Sequence, residues 1–199
     1  FISSRHIRFT SKGRKVKRMT CLNTKGHGNW PNTPTSFPLK NYDFQPSELL
    51  VLEMLRHYCQ SYAEPGSFSW EKAISLGEDE LGAYDGAWVS SAVAGFIQSI
   101  RNNRRVSFEF IVSCCPTCRQ QICVTELNAL WLVQAARTEN LIAMETAARL
   151  TLSNPADRLG PQHLIAKASH LGSVLREVFP GERHHKYKAT LPGHTRRLH

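Results

Sequence analysis

"FIVSCCPTCRQQICVTELNALWLVQAAR", residues 110–137, decides how this chain folds. Its start closes the run VSFEFIV at 106–112, which is β-branched and aromatic with partial alternation and reads as a strand. Its end, from Thr125 as the expected cap to Arg137, sets Leu127, Leu130, Trp131, Leu132 and Val133 around most of a helical circumference. A helix that is apolar nearly all round must be buried, so this one is expected at the centre of the molecule. Between strand and helix stand four of the six cysteines, Cys114, Cys115, Cys118 and Cys123.

Outward from this segment the periodicity is helical. Pro46 suits the first turn of a helix that runs to about Ala63, with Val51, Met54, Leu55, Tyr58 and Tyr62 on one stripe. A short helix is expected over Trp70–Leu76, then a solvated acidic loop, GEDELGAYDG, which lacks the alternating spacing of a calcium loop. Asp85 can cap the next helix, whose stripe is Val89, Ala92, Val93, Phe96, Ile97 and Ile100. Beyond the central helix, one more is expected over Asn140–Leu152, with Leu141, Met144, Ala148 and Leu152 in register. The last, over Pro161–Val178, carries Leu164, Ala168, Leu171, Leu175 and Val178. The fold class is therefore mainly α: a compact domain of five or six helices, with one or two short strands beside a cysteine-rich turn. A lone strand would leave backbone groups unpaired, so a second strand or another chain should complete it.

Charge divides the chain. Seven Lys/Arg precede Met19 and five follow Pro180, so 13 Lys/Arg and 15 Asp/Glu remain between them, a net of −2. The pI of about 9.5 thus belongs to the ends. That withdraws a basic nucleic-acid-binding body and leaves weak, salt-dependent binding of nucleic acid or an anionic surface to the tails. Residues 1–18, basic and acid-free, resemble an organellar transit peptide; the favoured expectation is that Met19 is the biological start. Residues 1–45 are read as a basic tail followed by a proline-rich arm whose aromatics Trp30, Phe37, Tyr42 and Phe44 can lie on the domain. Residues 46–180 are read as a single helical domain and 181–199 as a basic tail. No run approaches the roughly 18 apolar residues of a membrane span. A cytoplasmic protein with reduced thiols is expected.

The cysteines admit several chemistries. Cys115 and Cys118 have the C-x2-C spacing in which a tight turn presents two thiolates to one zinc ion, and Cys123 and Cys114 could complete a tetrahedral set. Zinc is thus the candidate cofactor. Free cysteine also packs well as a small hydrophobe, which makes a purely structural joint the competing reading. His57 points away from the stripe that Cys59 flanks. His163 and His170 stand two helical turns apart, roughly 10 Å, and His184, His185, His194 and His199 lie in the tail.

The order strand, CPTCR, helix resembles the thioredoxin-like active site, which would make Cys115 the nucleophile and Cys118 the resolving thiol. The strand–helix–strand unit before such a site and the cis-proline hairpin after it have no counterpart here. "CCPTC … VTELNALWLVQAAR" also resembles a cysteine-then-helix segment of uncharacterised helical proteins from proteobacteria, in which an acidic pair usually stands at the position of Thr125–Glu126. That resemblance implies a compact bacterial helical domain and no activity. Phosphate-binding, dinucleotide, zincin and serine-hydrolase signatures are missing. The leading expectation is a small regulatory or interaction module with a protein partner. The alternatives are a nucleic-acid-binding regulator using the helices at 125–137 and 140–152, and a thiol-disulfide oxidoreductase using CPTC.

Overall fold

The computed structural model describes residues 17–19 (backbone), 36–112, 116–153 and 159–182. The chain is mainly α-helical. In order, the elements are β1 (Lys17–Met19), β2 (Ser36–Pro38), α1 (Pro46–Ala63), α2 (Ser69–Leu81), α3 (Ala83–Asn103), β3 (Glu109–Ile111), α4 (Pro116–Arg119), β4 (Gln121–Cys123), α5 (Val124–Arg137), α6 (Leu141–Thr151) and α7 (Leu159–Val178). Six of the helices are long; α4 is a single turn.

Each boundary has a local cause. At the start of α1, Pro46 fills the first position, where its missing N–H costs nothing. Gln45 and Glu48 form a reciprocal capping box, the Gln45 amide donating to Glu48 Oε2 at 2.9 Å. Helix α6 begins at Asn140, whose Oδ1 accepts from the Ala143 amide at 3.0 Å. The turn from α2 to α3 is one residue, Gly82, at φ 82°, a conformation that L side chains resist. Close to that turn Gly77 and Gly86 let the two helices touch backbone to backbone. A Cβ on Gly77 would come within 2.8 Å of the Gly86 carbonyl oxygen.

That contact corrects the expected acidic loop. Gly77 looks like a stop signal, yet it is a packing contact, and α2 continues through Glu78, Asp79 and Glu80 with their side chains exposed. Four smaller expectations shift too. Cys123, rather than Thr125, caps α5, and Asp85 sits in the first turn of α3 rather than at its cap. The strand spans only Glu109–Ile111 of the expected 106–112. Leu141 is 74% exposed, because α6 turns Met144, Ala147, Ala148 and Thr151 inward instead.

The core gathers the expected stripes. Val51, Met54 and Leu55 of α1 meet Val89, Val93, Phe96 and Ile97 of α3, Leu132 and Val133 of α5, and Leu164, Ala168 and Leu171 of α7. Each such large side chain stabilises the fold by about 1.5–3 kcal/mol when fully buried. Helix α5 is central as its composition requires, packing on α1, α6, α7 and both short strands β3 and β4. Gly172 of α7 permits that closeness, since a Cβ there would stand 2.7 Å from the Ala136 carbonyl carbon. Arg176 then donates from Nη1 to the Ala136 and Arg137 carbonyls, at 2.9 and 3.1 Å, and satisfies the end of α5.

The lone strand has its partner. β3 pairs in parallel with β1, Arg18 opposite Phe110, so part of the basic N-terminal stretch lies along the body. A second ladder, absent from the sequence reading, pairs β2 antiparallel to β4, Phe37 opposite Ile122. It lays Phe37, Leu39, Tyr42 and Phe44 against Leu52, Ile122, Leu127 and Leu130. The packed body therefore includes residues 36–45, and at its other end Glu182, beyond the expected span of 46–180.

Candidate functional site

The cysteine segment folds as a joint: strand β3, the one-turn helix α4, strand β4 and the first turn of α5. Glu126 is the third residue of α5 and fully buried. Its Oε1 accepts from the Ile111 amide at 2.9 Å and its Oε2 from the Cys123 amide at 3.0 Å, so one carboxylate holds the backbones of both sides of the joint. Arg56, on the buried side of α1, completes it: Nε donates to Oε1 at 2.8 Å and Nη2 to Oε2 at 3.2 Å. Nη2 also donates to the Gln121 carbonyl at 2.5 Å, and Nη1 to Glu53 Oε1 at 3.1 Å. Two buried charges are tolerable only when paired and hydrogen-bonded to this extent. Burial works to pull the Arg56 pKa down, but Glu126 and Glu53 more than offset it and hold it above the usual value.

The sulfurs sit beside this pair. Cys123 is buried, and its thiol accepts from the Glu126 amide as the helix cap while donating to the Glu109 carbonyl at 3.3 Å. Thr125 Oγ1 stands 3.2 Å from the same sulfur and donates to the same carbonyl. Burial, and then the Glu126 carboxylate, push the Cys123 thiol up to about 12. Cys118, in α4, is fully buried and packs with Ile111 and Cys123 in a small apolar cluster. Two of the four expected ligands therefore converge. Cys114 and Cys115 lie outside the described residues. Among the described residues, no three His, Cys, Asp or Glu side chains are grouped so as to hold a metal ion.

The other candidates stand apart. Cys59 is buried in the main core, its thiol pushed far up by burial. His57 is half-buried, and burial lowers its pKa. His163 is exposed, with Nδ1 3.1 Å from Ser99 Oγ, whereas His170 points to solvent. The tail histidines lie outside the described residues.

Sequence reasoning missed the buried ions. Besides Arg56 and Glu126, Arg137 pairs with Glu48 at 3.2 Å and stands 2.8 Å from Glu182, the latter an ion pair by distance rather than an aligned hydrogen bond. Glu182 in turn accepts from the Ser47 amide and hydroxyl, at 2.9 and 2.5 Å, and caps α1 from 135 residues further along the chain. Burial pushes the Glu48 carboxyl up, against the Gln45 amide and Arg137, which draw it down. A signal was present: Arg56 stands four residues after Leu52 and three before Cys59, and Arg137 four after Val133, all on buried faces.

Fold and site together define a mainly α domain whose cysteine-bearing joint is pinned by a buried arginine–glutamate pair. No family model, curated protein or solved structure matches the chain. Among the described residues no helix is long and apolar enough to cross a membrane.

Proposed function

We propose that this chain is a small helical interaction module, regulatory in kind, in which the cysteine joint is a structural element and a protein partner is the ligand. One observation carries the reading. The exposed side of α6 and the start of α7 present Leu141, Ile142, Leu150 and Leu159 to solvent, the first two at 74% and 83% exposure, whereas the other exposed large apolar side chains, among them Phe68, Trp70, Tyr84 and Val106, are scattered over other elements. Exposed apolar side chains gathered at one part of the surface favour a protein interface. The test is a photo-crosslinking residue placed at the exposed position Thr146 of the full chain in its native cell. A discrete protein adduct that disappears with Ile142→Asp supports the reading; no adduct, or one indifferent to that substitution, overturns it. The buried free thiols of Cys59 and Cys123 suit a reducing compartment such as the cytoplasm.

A second reading, zinc held by Cys115, Cys118, Cys123 and Cys114, is favoured by the convergence of Cys118 and Cys123 on Ile111. Against it, the Cys123 sulfur already serves as a helix cap and thiol donor. Metal analysis of protein purified without a histidine tag decides it: one zinc per chain supports the site. No zinc, with unchanged stability of Cys115→Ser/Cys118→Ser, removes it.

Oxidoreductase chemistry has less support. Cys118 is fully buried, and the helix directly after the cysteines is one turn long, followed by β4. For nucleic-acid recognition, α6 offers Arg149 alone, and Glu145 neutralises it at 3.0 Å.

A further inference from the structure

One guanidinium serves two carboxylates at the start of α1. Arg137, at the end of α5, donates from Nη1 to Glu48 Oε1 at 3.2 Å, and its Nη2 lies 2.8 Å from Glu182 Oε2. The first contact is an aligned hydrogen bond and the second is not. Among the described residues, neither Nη2 nor Nε of Arg137 has a hydrogen-bond acceptor. Arg137 and Glu48 are each 2% exposed and Glu182 is 13% exposed, so two carboxylates and one guanidinium share a site nearly closed to water. A surplus negative charge is costly in such a place.

The neighbouring helices do not balance it. Arg176 of α7 gives Nη1 to the Ala136 and Arg137 carbonyls and holds Glu139 with Nη2 at 2.9 Å. Asp43, just before α1, and Glu78, Asp79 and Glu80 at the end of α2 are exposed acids. The charges that act on Glu48 are those of Arg137 and Glu182. Burial pushes the Glu48 carboxyl up, the Gln45 amide and Arg137 draw it down, and Glu182 adds to the rise. A proton from water is what can neutralise the surplus.

We propose that Glu48, Arg137 and Glu182 form a proton-operated clasp between α1 and the chain just beyond α7. A proton taken up by the Glu48 carboxylate frees Arg137 to turn its unsatisfied donors onto Glu182, which keeps its bonds from the Ser47 amide and hydroxyl, and the clasp tightens. Loss of the proton sets two carboxylates against one guanidinium again. Glu182, the more exposed of the two, is then the one that yields. Glu48 holds its proton more tightly with Glu182 close than with Glu182 away, so falling pH favours the closed clasp. Protonation of Glu48 and closure of Glu182 on Ser47 therefore strengthen each other.

The experiment follows the Ser47 amide of the full chain by NMR hydrogen exchange between about pH 5 and 8, as a protection factor corrected for the pH dependence of exchange itself. In the wild type, protection should rise by at least about fivefold as pH falls, in step with the titration of the Glu48 carboxyl followed by carboxyl-carbon NMR. Glu48→Gln copies the neutral form and can still accept from the Gln45 amide, so Ser47 should keep its acid-side protection at every pH. Glu182→Ala should leave Ser47 poorly protected at every pH. Ser47 protection that is flat with pH in the wild type overturns the proposal. So does a rise that persists in Glu48→Gln, or one whose midpoint departs from the Glu48 titration. Should Glu48→Gln fail to fold, the wild-type comparison of Ser47 protection with the Glu48 titration still decides.

Discussion

Arg56 and Glu126, 70 residues apart in sequence, form a two-pronged ion pair with side-chain exposures of 1% and 0%. Because Glu126 also receives the Ile111 and Cys123 amides, the pair links α1 to both strands of the joint and to the first turn of α5. Removing one partner leaves the other charged and buried. Arg56→Ala or Glu126→Ala should therefore cost about 3–5 kcal/mol, read from urea unfolding. Arg56→Met/Glu126→Leu should cost clearly less than the sum of the single changes, since no orphan charge remains. Additive losses would show that the two side chains act separately.

The glycines give a graded test of helix packing. Gly77→Ala and Gly172→Ala drive a methyl into the backbone of a neighbouring helix and should each cost about 1–3 kcal/mol. Gly95→Ala is the control: it lies within α3 with nothing inside 4 Å of the added carbon, and should gain about 0.5–1 kcal/mol from helix propensity alone. Thermal unfolding of the three variants should move in opposite directions.

The same residues show why the sequence was only partly legible. The stripe of α3 and the apolar circumference of α5 announced themselves because burial repeats with the helical period, and both proved to be core. A three-residue strand carries no period, so β4 was hidden inside the cysteine run and β1 inside a basic stretch that read as tail. Gly77 read as a terminator because a glycine's partner across a helix crossing is invisible along one chain. Arg56, Glu126 and Arg137 escaped because a charged residue on a buried face is meaningful only once its counter-ion is placed, and these counter-ions are far away in sequence. Cys118 and Cys123 do come together at the joint; what the spacing could not show was that the Cys123 sulfur is engaged as a helix cap.

Glu182 ties the chain just beyond α7 to the first turn of α1. Glu182→Ala leaves the Ser47 amide and hydroxyl without their acceptor and deprives Arg137 of one of two carboxylates. A loss of about 1–3 kcal/mol is expected, together with faster amide hydrogen exchange in the first turn of α1. Loss of stability without faster exchange there would place the effect elsewhere.

Alkaline pH should act through Cys123. Its thiol is pushed up from 9.0 to about 12, first by burial and then by the Glu126 carboxylate. Above pH 9 the unfolded chain releases that proton while the folded chain keeps it, so the folded state binds more protons and loses stability as pH rises. The contribution of Cys123 is fully present below about pH 9 and declines by up to about 1.4 kcal/mol per pH unit until pH approaches 12. Cys59, shifted in the same direction by burial, adds to the decline. Urea midpoints between pH 7 and 10.5, flat at first and falling above about 9, should show the slope. Cys123→Ser, which keeps a capping oxygen and removes the thiol, should make that slope shallower. An unchanged slope in the serine variant would mean that other groups govern alkaline unfolding.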